Sequence, residues 1–255
     1  MADALDARGA RAEAYRDYVG LQLRFAEALA DRGDLSLGEA LRRFTSLHRR
    51  LGLGNVWLDP PGPQWTGFAE GLEQAPDAQA RLAWTMAALA AAPDEQPQPN
   101  QTRFGCFSYE PPKNGVVRIH FTNRDSEGGV GPLAQSKVAI RRSELSRMFD
   151  HVRRLEPEAK TVAGASWLYH VQAYRRLYPA DYTASATPAG EMHLTGNSSW
   201  GQFLTHSGAV RDDLRQAFLA RMADLDPKAP WLVFPLRPLR VTAPLRAFYD
   251  HFGLG

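Results

Sequence analysis

Polar side chains that could do chemistry follow an apolar run in TVAGASWLYHVQAYRRLYPADY, which spans residues 161–182. Ser166, Tyr169 and His170 lie where a strand is predicted to end and a helix to begin. In α/β sheets ligands bind at such ends, because backbone N–H groups and helix N-termini point there. A tyrosine hydroxyl can donate to a leaving group, and histidine can act as a base near neutral pH. Tyr169 and His170 are therefore candidate catalytic residues, and Ser166 is a candidate binding residue.

Two aromatic residues of the same stretch, Trp167 and Tyr174, are candidate substrate-binding residues. Each would add a large apolar surface with one polar atom to the wall of a pocket. The alternative is that both pack in the core with the neighbouring Leu168 and Leu177. The sequence leaves both interpretations open.

A similar pattern occurs in HLTGNSSWGQFLTH, residues 193–206. EMHLTG is predicted as a strand that ends before Asn197 and Ser198, and Trp200 and Gln202 follow on the first turn of a helix. These four residues are also candidates for substrate binding. Asn and Ser at a helix start commonly accept hydrogen bonds from its first N–H groups, so helix capping is the alternative.

The histidines do not show the spacing of a metal site. They stand at positions 48, 120, 151, 170, 193, 206 and 251, with no HExxH or HxH motif, so no metal is predicted. His120 lies in the predicted strand VVRIHF. Because histidine titrates near the working pH of most enzymes, His120 joins His170 as a candidate general base.

The single cysteine, Cys106, excludes an internal disulfide framework and fits a reducing compartment. It lies in the predicted strand RFGCFSYE, and free cysteine is among the most buried residue types. We therefore predict that Cys106 packs in the core and is not a nucleophile. GNSSWG lacks the spacing of a Gly-x-Ser-x-Gly elbow, and SEGGVGP is not followed by the Gly-Lys-Ser/Thr of a P-loop.

The composition is that of an ordinary globular protein. The 255 residues are 44% hydrophobic and 23% charged, with a formal net charge of +2. The arginine pairs are scattered along the chain, so no nucleic-acid surface is expected. No apolar run reaches the length of a membrane helix, so no membrane partner is expected either. The charged start lacks the apolar centre of a signal peptide, which favours a cytoplasmic location.

The chain is predicted to divide into three segments. Residues 1–92 show helical periodicity, with a capping box at Ser36 and Glu39 and a further cap at Asp77. The helix after Asp77 is apolar nearly all round, which predicts burial. Residues 93–101, PDEQPQPNQ, form a Pro/Gln-rich linker.

Residues 102–255 are predicted to form a mixed α/β domain. Asn114-Gly115 stands between two strand-like runs, as in a hairpin turn. An amphipathic helix follows from about Lys137 to Leu155, with Ile140 among its inward-facing residues. The fold class is therefore α/β (α+β), with a helical N-terminal region followed by a mixed sheet flanked by helices.

Five segments of the C-terminal half carry a family resemblance: RIHF, GPL, ELSRMF, VAGASWLYHVQAYRRLYP and NSSWGQFLTH. Their order resembles that of bacterial GNAT-like acyltransferase-domain proteins, over roughly residues 117–203. In that family an Ile-His strand, a Gly-x-Leu turn and a long helix precede a Ser-Trp-Leu-Leu segment. Gly164-Ala165 stands where the family has His or Cys. The Arg/Gln-x-x-Gly-x-Gly/Ala loop that holds the CoA pyrophosphate in GNAT enzymes does not occur here.

The resemblance implies an acyltransferase-like, GNAT-like architecture and acyl transfer to a small amine-bearing molecule. Acyl-CoA would then be the cofactor, although its phosphate-binding motif is missing. Two alternatives stay open. The chain could be a non-catalytic ligand-binding or interaction protein that keeps such a fold, or a different small-molecule enzyme with a histidine-lined cleft. The sequence names neither the substrate nor the oligomeric state.

Overall fold

The structure is a computed structural model that describes residues 9–10, 12–53, 59–93, 101–125, 129–190 and 194–255. The chain forms two compact units. The first unit comprises Met1–Gln96 and Gly190–Pro235, and the second comprises Pro97–Ala189 and Leu236–Gly255. The predicted domain 102–255 is thus divided, because residues of its middle part cluster with the N-terminal helices.

Helices and strands alternate beyond an N-terminal helical region, as predicted for the α+β class. The helices are α1 (Arg16–Arg32), α2 (Leu37–Phe44), α3 (Leu47–Arg50), α4 (Pro63–Gln74), α5 (Ala78–Ala91), α6 (Val138–Leu155), α7 (Gln172–Arg175), α8 (Ala180–Ala184), α9 (Asn197–Trp200), α10 (Asp212–Arg221) and α11 (Leu245–Phe252). The strands are β1 (Thr102–Phe104), β2 (Phe107–Lys113), β3 (Val116–Phe121), β4 (Thr161–Ser166), β5 (Thr187–Pro188) and β6 (Leu239–Pro244). Among the described residues, no helix combines the length and the apolar character that crossing a membrane requires.

Helix starts in the first unit follow the predicted caps. The Ser36 hydroxyl accepts a hydrogen bond from the Glu39 N–H at 3.2 Å, and the Asp77 carboxylate accepts one from the Ala80 N–H at 2.8 Å. Each bond satisfies an N–H group that has no partner inside the helix. The two predicted caps are therefore confirmed.

The core of the first unit is aromatic and joins its two chain segments. The Trp200 ring lies 5.5 Å from Phe25 of α1 and 5.6 Å from Phe218 of α10, between ring centroids. Its indole N–H donates to the backbone oxygen of Phe44 at 3.0 Å. Because these rings are fully buried, they tie residues 190–235 to the N-terminal helices.

Helix α5 is less buried than its sequence predicts. Only Thr85 and Met86 of this helix are buried, and Trp84 is 42% exposed. The prediction of burial all round is wrong because the apolar face is built mainly of alanines. Alanine buries too little surface to force a helix face into the core.

The second unit is built on a six-stranded mixed sheet of order β1-β2-β3-β4-β6-β5. Strands β2 and β3 form the predicted hairpin, and its turn residues Asn114 and Gly115 have φ angles of 53° and 74°. Strands β3 and β4 pair in parallel, and helix α6 lies between them in the chain. Strand β6 returns antiparallel to β4 and separates it from β5.

One face of this sheet carries the core of the second unit. Leu145, Met148, Phe149 and Val152 of α6 are fully buried in a cluster that includes inward residues of β2, β3 and β4. The predicted inner face of α6 is correct for these four residues and wrong for Ile140, which is 52% exposed. Ile140 lies within the first turn of the helix, on its solvent-exposed side.

Candidate functional site

The parallel strands β3 and β4 separate before they end. Their pairing covers Val116↔Thr161, Val117↔Val162 and Arg118↔Ala163 and then stops. Beyond that point residues 119–121 stay paired with β2, and residues 164–166 stay paired with β6. We call these two segments the diverging arms. The carboxyl ends of parallel strands are where α/β proteins bind ligands, so the arms define the candidate site.

Aromatic rings occupy the core side of this opening. The Tyr174 ring lies 5.5 Å from Phe121 at the end of β3 and 5.3 Å from Tyr169 just beyond β4. Gly164 makes room for them: a Cβ at this position would lie 2.1 Å from the Tyr169 hydroxyl and 2.6 Å from the Tyr182 hydroxyl. Glycine at position 164 therefore lets two phenol groups rest on the backbone of β4.

The side chains of Tyr169, Tyr174, Tyr178 and Tyr182 are buried, and their hydroxyl groups are protonated. Tyr169 is 3% exposed, and its hydroxyl shares a 2.9 Å hydrogen bond with that of Tyr182. Burial raises the pKa of Tyr169, Tyr178 and Tyr182 well above the usual value and that of Tyr174 to about 12. The expectation that Tyr169 and Tyr174 face a pocket is corrected: both pack in the core, since four adjacent tyrosine rings bury one another.

His120 stands on the β3 arm, on the sheet face opposite the core. Its neighbour Ile119 is buried, whereas the His120 side chain is 37% exposed. The His120 Nε2 lies 2.8 Å from a carboxylate oxygen of Glu110 on β2. When Nε2 donates to that carboxylate, Nδ1 becomes the acceptor, so the pair orients the ring for proton transfer.

Ser166 and His170 bracket a capped turn at the end of β4. The Ser166 hydroxyl accepts from the Leu168 N–H at 3.1 Å, which caps the short 3₁₀ turn Trp167–His170. His170 is exposed, and its Nε2 donates to the backbone oxygen of Arg237 at 2.8 Å. Trp167 is half-buried. This junction therefore lies next to the β4 arm, with the Ser166 hydroxyl already engaged in the turn.

The second predicted set belongs to the first unit. Trp200 and Gln202 are fully buried, and the Gln202 amide donates to the Ser199 backbone oxygen at 2.7 Å. Their expected contact with a substrate is corrected. Trp200 packs in the aromatic core, and Gln202 stabilises the turn through its hydrogen bond to Ser199. Asn197 is exposed and Ser198 is half-buried at the start of α9. Of the predicted strand before them, residues 191–193 lie outside the described part, and Leu194–Gly196 are not in a strand.

Cys106 is buried, as predicted, and burial raises the pKa of its thiol. Its backbone N–H donates to the Glu144 carboxylate at 3.2 Å, and Gly105 before it has φ +60°. Glu144 forms an ion pair at 3.0 Å with Arg141, which is 2% exposed and also pairs with Asp125. Apart from the helical spacing of Arg141 and Glu144, no pattern in the sequence indicates this buried cluster. It fixes the chain after β3 against α6.

The comparisons with known proteins add no family. No protein-family model, no curated protein and no solved structure matches the chain. The GNAT-like resemblance therefore stays a prediction. Among the residues that the structure describes, no three histidine, cysteine or acidic side chains are grouped closely enough to hold a metal ion.

Proposed function

We propose that the second unit binds an extended acyl thioester between the diverging arms and transfers its acyl group to an amine. The observation that carries the proposal is the end of β3–β4 pairing at Arg118↔Ala163, while both strands continue. The mixed sheet, with one parallel pair between antiparallel neighbours, is compatible with the GNAT-like resemblance.

Backbone chemistry supports an extended ligand at this place. Strand residues whose N–H and C=O groups face a missing neighbour need hydrogen-bond partners. A pantetheine-type arm, as in CoA, is a flexible chain with amide groups and can pair with such a backbone as an added strand does. The acyl thioester at its end would then lie near the carboxyl ends of the arms, beside His120 and the turn that begins at Trp167.

The transfer itself requires few groups. The amine nitrogen attacks the thioester carbonyl carbon, the new C–N bond forms, and the C–S bond breaks to release a thiol. His120, oriented by Glu110, takes the proton that the amine nitrogen loses and returns it to the sulfur as the thiol leaves. Backbone N–H groups of the arms can stabilise the negative charge that develops on the carbonyl oxygen. Tyr169 is not available as a donor to the sulfur, because its hydroxyl is buried against Tyr182.

That burial of Tyr169 favours a second candidate, a protein that binds a thioester or related ligand without turning it over. The two candidates differ in one measurement. Catalysis gives free thiol when an amine is supplied with acetyl-CoA, and binding alone gives none.

Calorimetric titration and thermal shift with acetyl-CoA, CoA and S-acetyl-pantetheine test the proposal. A ligand present at a hundred times its Kd stabilises the folded state by about 2.7 kcal/mol, which is readily measured. S-acetyl-pantetheine lacks the nucleotide phosphates, so it reports on the arms alone.

Two variants locate the site. Ala165→Glu places a negative charge on the exposed side of the β4 arm and should abolish the shift, whereas Ala139→Glu, at an exposed position of α6, should preserve it. His120→Gln should keep binding and lose thiol release, with His206→Gln as the matched control. No shift with any thioester, or a shift that survives Ala165→Glu, refutes the proposal.

A further inference from the structure

The sheet of the second unit has a second face, opposite the one that carries the core. Side chains alternate between the two faces along each strand, so the residues between the buried ones of β3, β4 and β6 share this side, which we call the outer face. All of them are exposed or half-buried. Around the diverging arms they are Arg118 and His120 of β3, Ala163 and Ala165 of β4, and Arg240 and Thr242 of β6.

An acyl acceptor reaches the diverging arms from the outer face. On the core side, buried phenol rings occupy the opening, and two of their hydroxyls rest on the backbone of Gly164. On the outer face, His120 is 37% exposed, and Ala165, two residues beyond the last β3–β4 pair, has only a methyl group. An amine that gives its proton to His120 therefore lies over the alanines of β4.

Two arginines flank this position. Arg118 lies two residues before His120 on the same face of β3, about 7 Å away along the strand. It is the cross-strand partner of Ala163. Arg240 is the partner of Ala165 in the β4–β6 register, so it lies on the other side of the two alanines. Both arginines are exposed, and the alanines between them leave room for a ligand.

Neither arginine is neutralised by its neighbours. Arg118 and Arg240 form no ion pair and no side-chain hydrogen bond with the residues that the structure describes. Glu110 is the cross-strand partner of Arg118, but its carboxylate contacts Nε2 of His120. A guanidinium group binds a carboxylate through parallel N–H donors, so the charge beside His120 complements a ligand with an anionic group.

We infer that the acceptor of the proposed acyl transfer is an amine that also carries a carboxylate. The carboxylate lies over Ala163 between Arg118 and Arg240, and the amine nitrogen lies over Ala165 beside His120. Because the two alanines are about 7 Å apart, a spacer of a few methylene groups joins the two ends of the acceptor. The inference rests on the proposed function and adds the class of the second substrate and the two arginines that select it.

Thiol release from S-acetyl-pantetheine tests the inference, because this donor has no phosphate that the arginines could hold. The acceptors are 4-aminobutanoate and 4-aminobutan-1-ol, which have the same chain length and differ in the carboxylate. In the wild type we expect a higher kcat/KM for 4-aminobutanoate. Arg118→Gln and Arg240→Gln should each lower the ratio of the two kcat/KM values about two- to fivefold, as expected for the loss of one exposed ion pair.

Arg175→Gln is the matched control. Arg175 is an exposed arginine of α7, and this helix packs on the core side of the sheet through Tyr174. Its replacement should leave the ratio unchanged. Calorimetric titration should show that Arg118→Gln and Arg240→Gln bind S-acetyl-pantetheine as the wild type does, since they leave the backbone of the arms intact. High salt should reduce the preference of the wild type for 4-aminobutanoate, because salt screens exposed charges.

The outcomes separate the inference from the proposed function. Equal kcat/KM for the two acceptors, a ratio that neither Arg118→Gln nor Arg240→Gln changes, or an equal change in Arg175→Gln overturns the inference and leaves acyl transfer in place. Weaker binding of S-acetyl-pantetheine by the two variants would assign the arginines to the donor, which also overturns it. Absence of thiol release with both acceptors refutes the acyl transfer itself, and the inference with it.

Discussion

Acid should destabilise the first unit through one buried histidine, His48. Its side chain is 2% exposed and packs on the Trp65 ring. Burial, helped by the positive charges of Arg42 and Arg49, lowers the pKa of His48 from 6.5 to about 4. The folded protein therefore keeps this ring neutral over a pH range in which the unfolded chain protonates it.

The sign and size of the effect follow from these two pKa values. Between them the unfolded state binds more protons, so the free energy of unfolding falls as the pH is lowered from about 6.5 towards 4. Relative to neutral pH, the loss attributable to His48 is about 2 kcal/mol at about pH 5 and about 3 kcal/mol at about pH 4. Above the unfolded value His48 has no effect on the pH dependence.

Urea unfolding of the wild type and His48→Phe at about pH 7.5 and about pH 5 measures this loss. Phenylalanine keeps a ring against Trp65 and cannot be protonated. The wild type should lose about 2 kcal/mol more than the variant between the two pH values. Burial also lowers the pKa of His251, but that effect is common to both proteins and cancels.

A second readout is direct. The ring signals of His48 in the folded protein, followed by NMR, should titrate with a midpoint near pH 4. Identical pH dependence of the two proteins in urea, or a His48 midpoint near the ordinary value, would show that the ring is accessible to water and refute the reasoning.

Three further substitutions test the packing and backbone conformation at Gly164, Trp200 and Gly105. Gly164→Ala should destabilise the protein by about 1–3 kcal/mol in thermal unfolding, because its Cβ would collide with the Tyr169 hydroxyl; Tyr169→Phe in the same background should recover part of the loss, and no recovery would argue against the collision. Trp200→Ala should cost about 3–5 kcal/mol in urea, since it empties the centre of an aromatic core; a loss under 1 kcal/mol would mean that the core is not as tightly packed as described. Gly105→Ala should cost about 1–2 kcal/mol for its positive φ alone. The Cβ added at position 105 would also collide with the Glu144 carboxylate. Adding Glu144→Ala to Gly105→Ala removes that collision and should leave the backbone cost in place.

Local features of the fold could be predicted from the sequence because their causes are local. Ser36, Asp77 and Asn114-Gly115 act on groups within a few residues of themselves, so their roles as caps and turn were visible in the pattern. The inward face of α6 was predictable for the same reason, since its apolar spacing matches the helical period. The burial of Cys106 followed from residue type alone.

The candidate site was only partly visible. A strand was predicted over residues 161–168, and β4 ends two residues earlier, at Ser166. His120 was predicted as a candidate base, but its pairing with Glu110 depends on the β2–β3 register. Tyr169 was expected to face a cleft because it lies where a strand was predicted to end and a helix to begin. Its hydroxyl instead meets Tyr182, thirteen residues later, above a glycine. No pattern in the sequence links those three positions.

The sequence by itself determined the helix caps, the hairpin turn, the α+β class and the residue types that could carry chemistry. Only the tertiary structure decided that residues 190–235 complete the first unit, that β3 and β4 part after Arg118, and which charged side chains share the outer face with His120. The physical reason is the separation along the chain over which each interaction acts. Capping, turn formation and amphipathic periodicity act over a few residues. Strand pairing, ring packing and charge clustering depend on residues that are distant in the chain, and they exist only once it has folded.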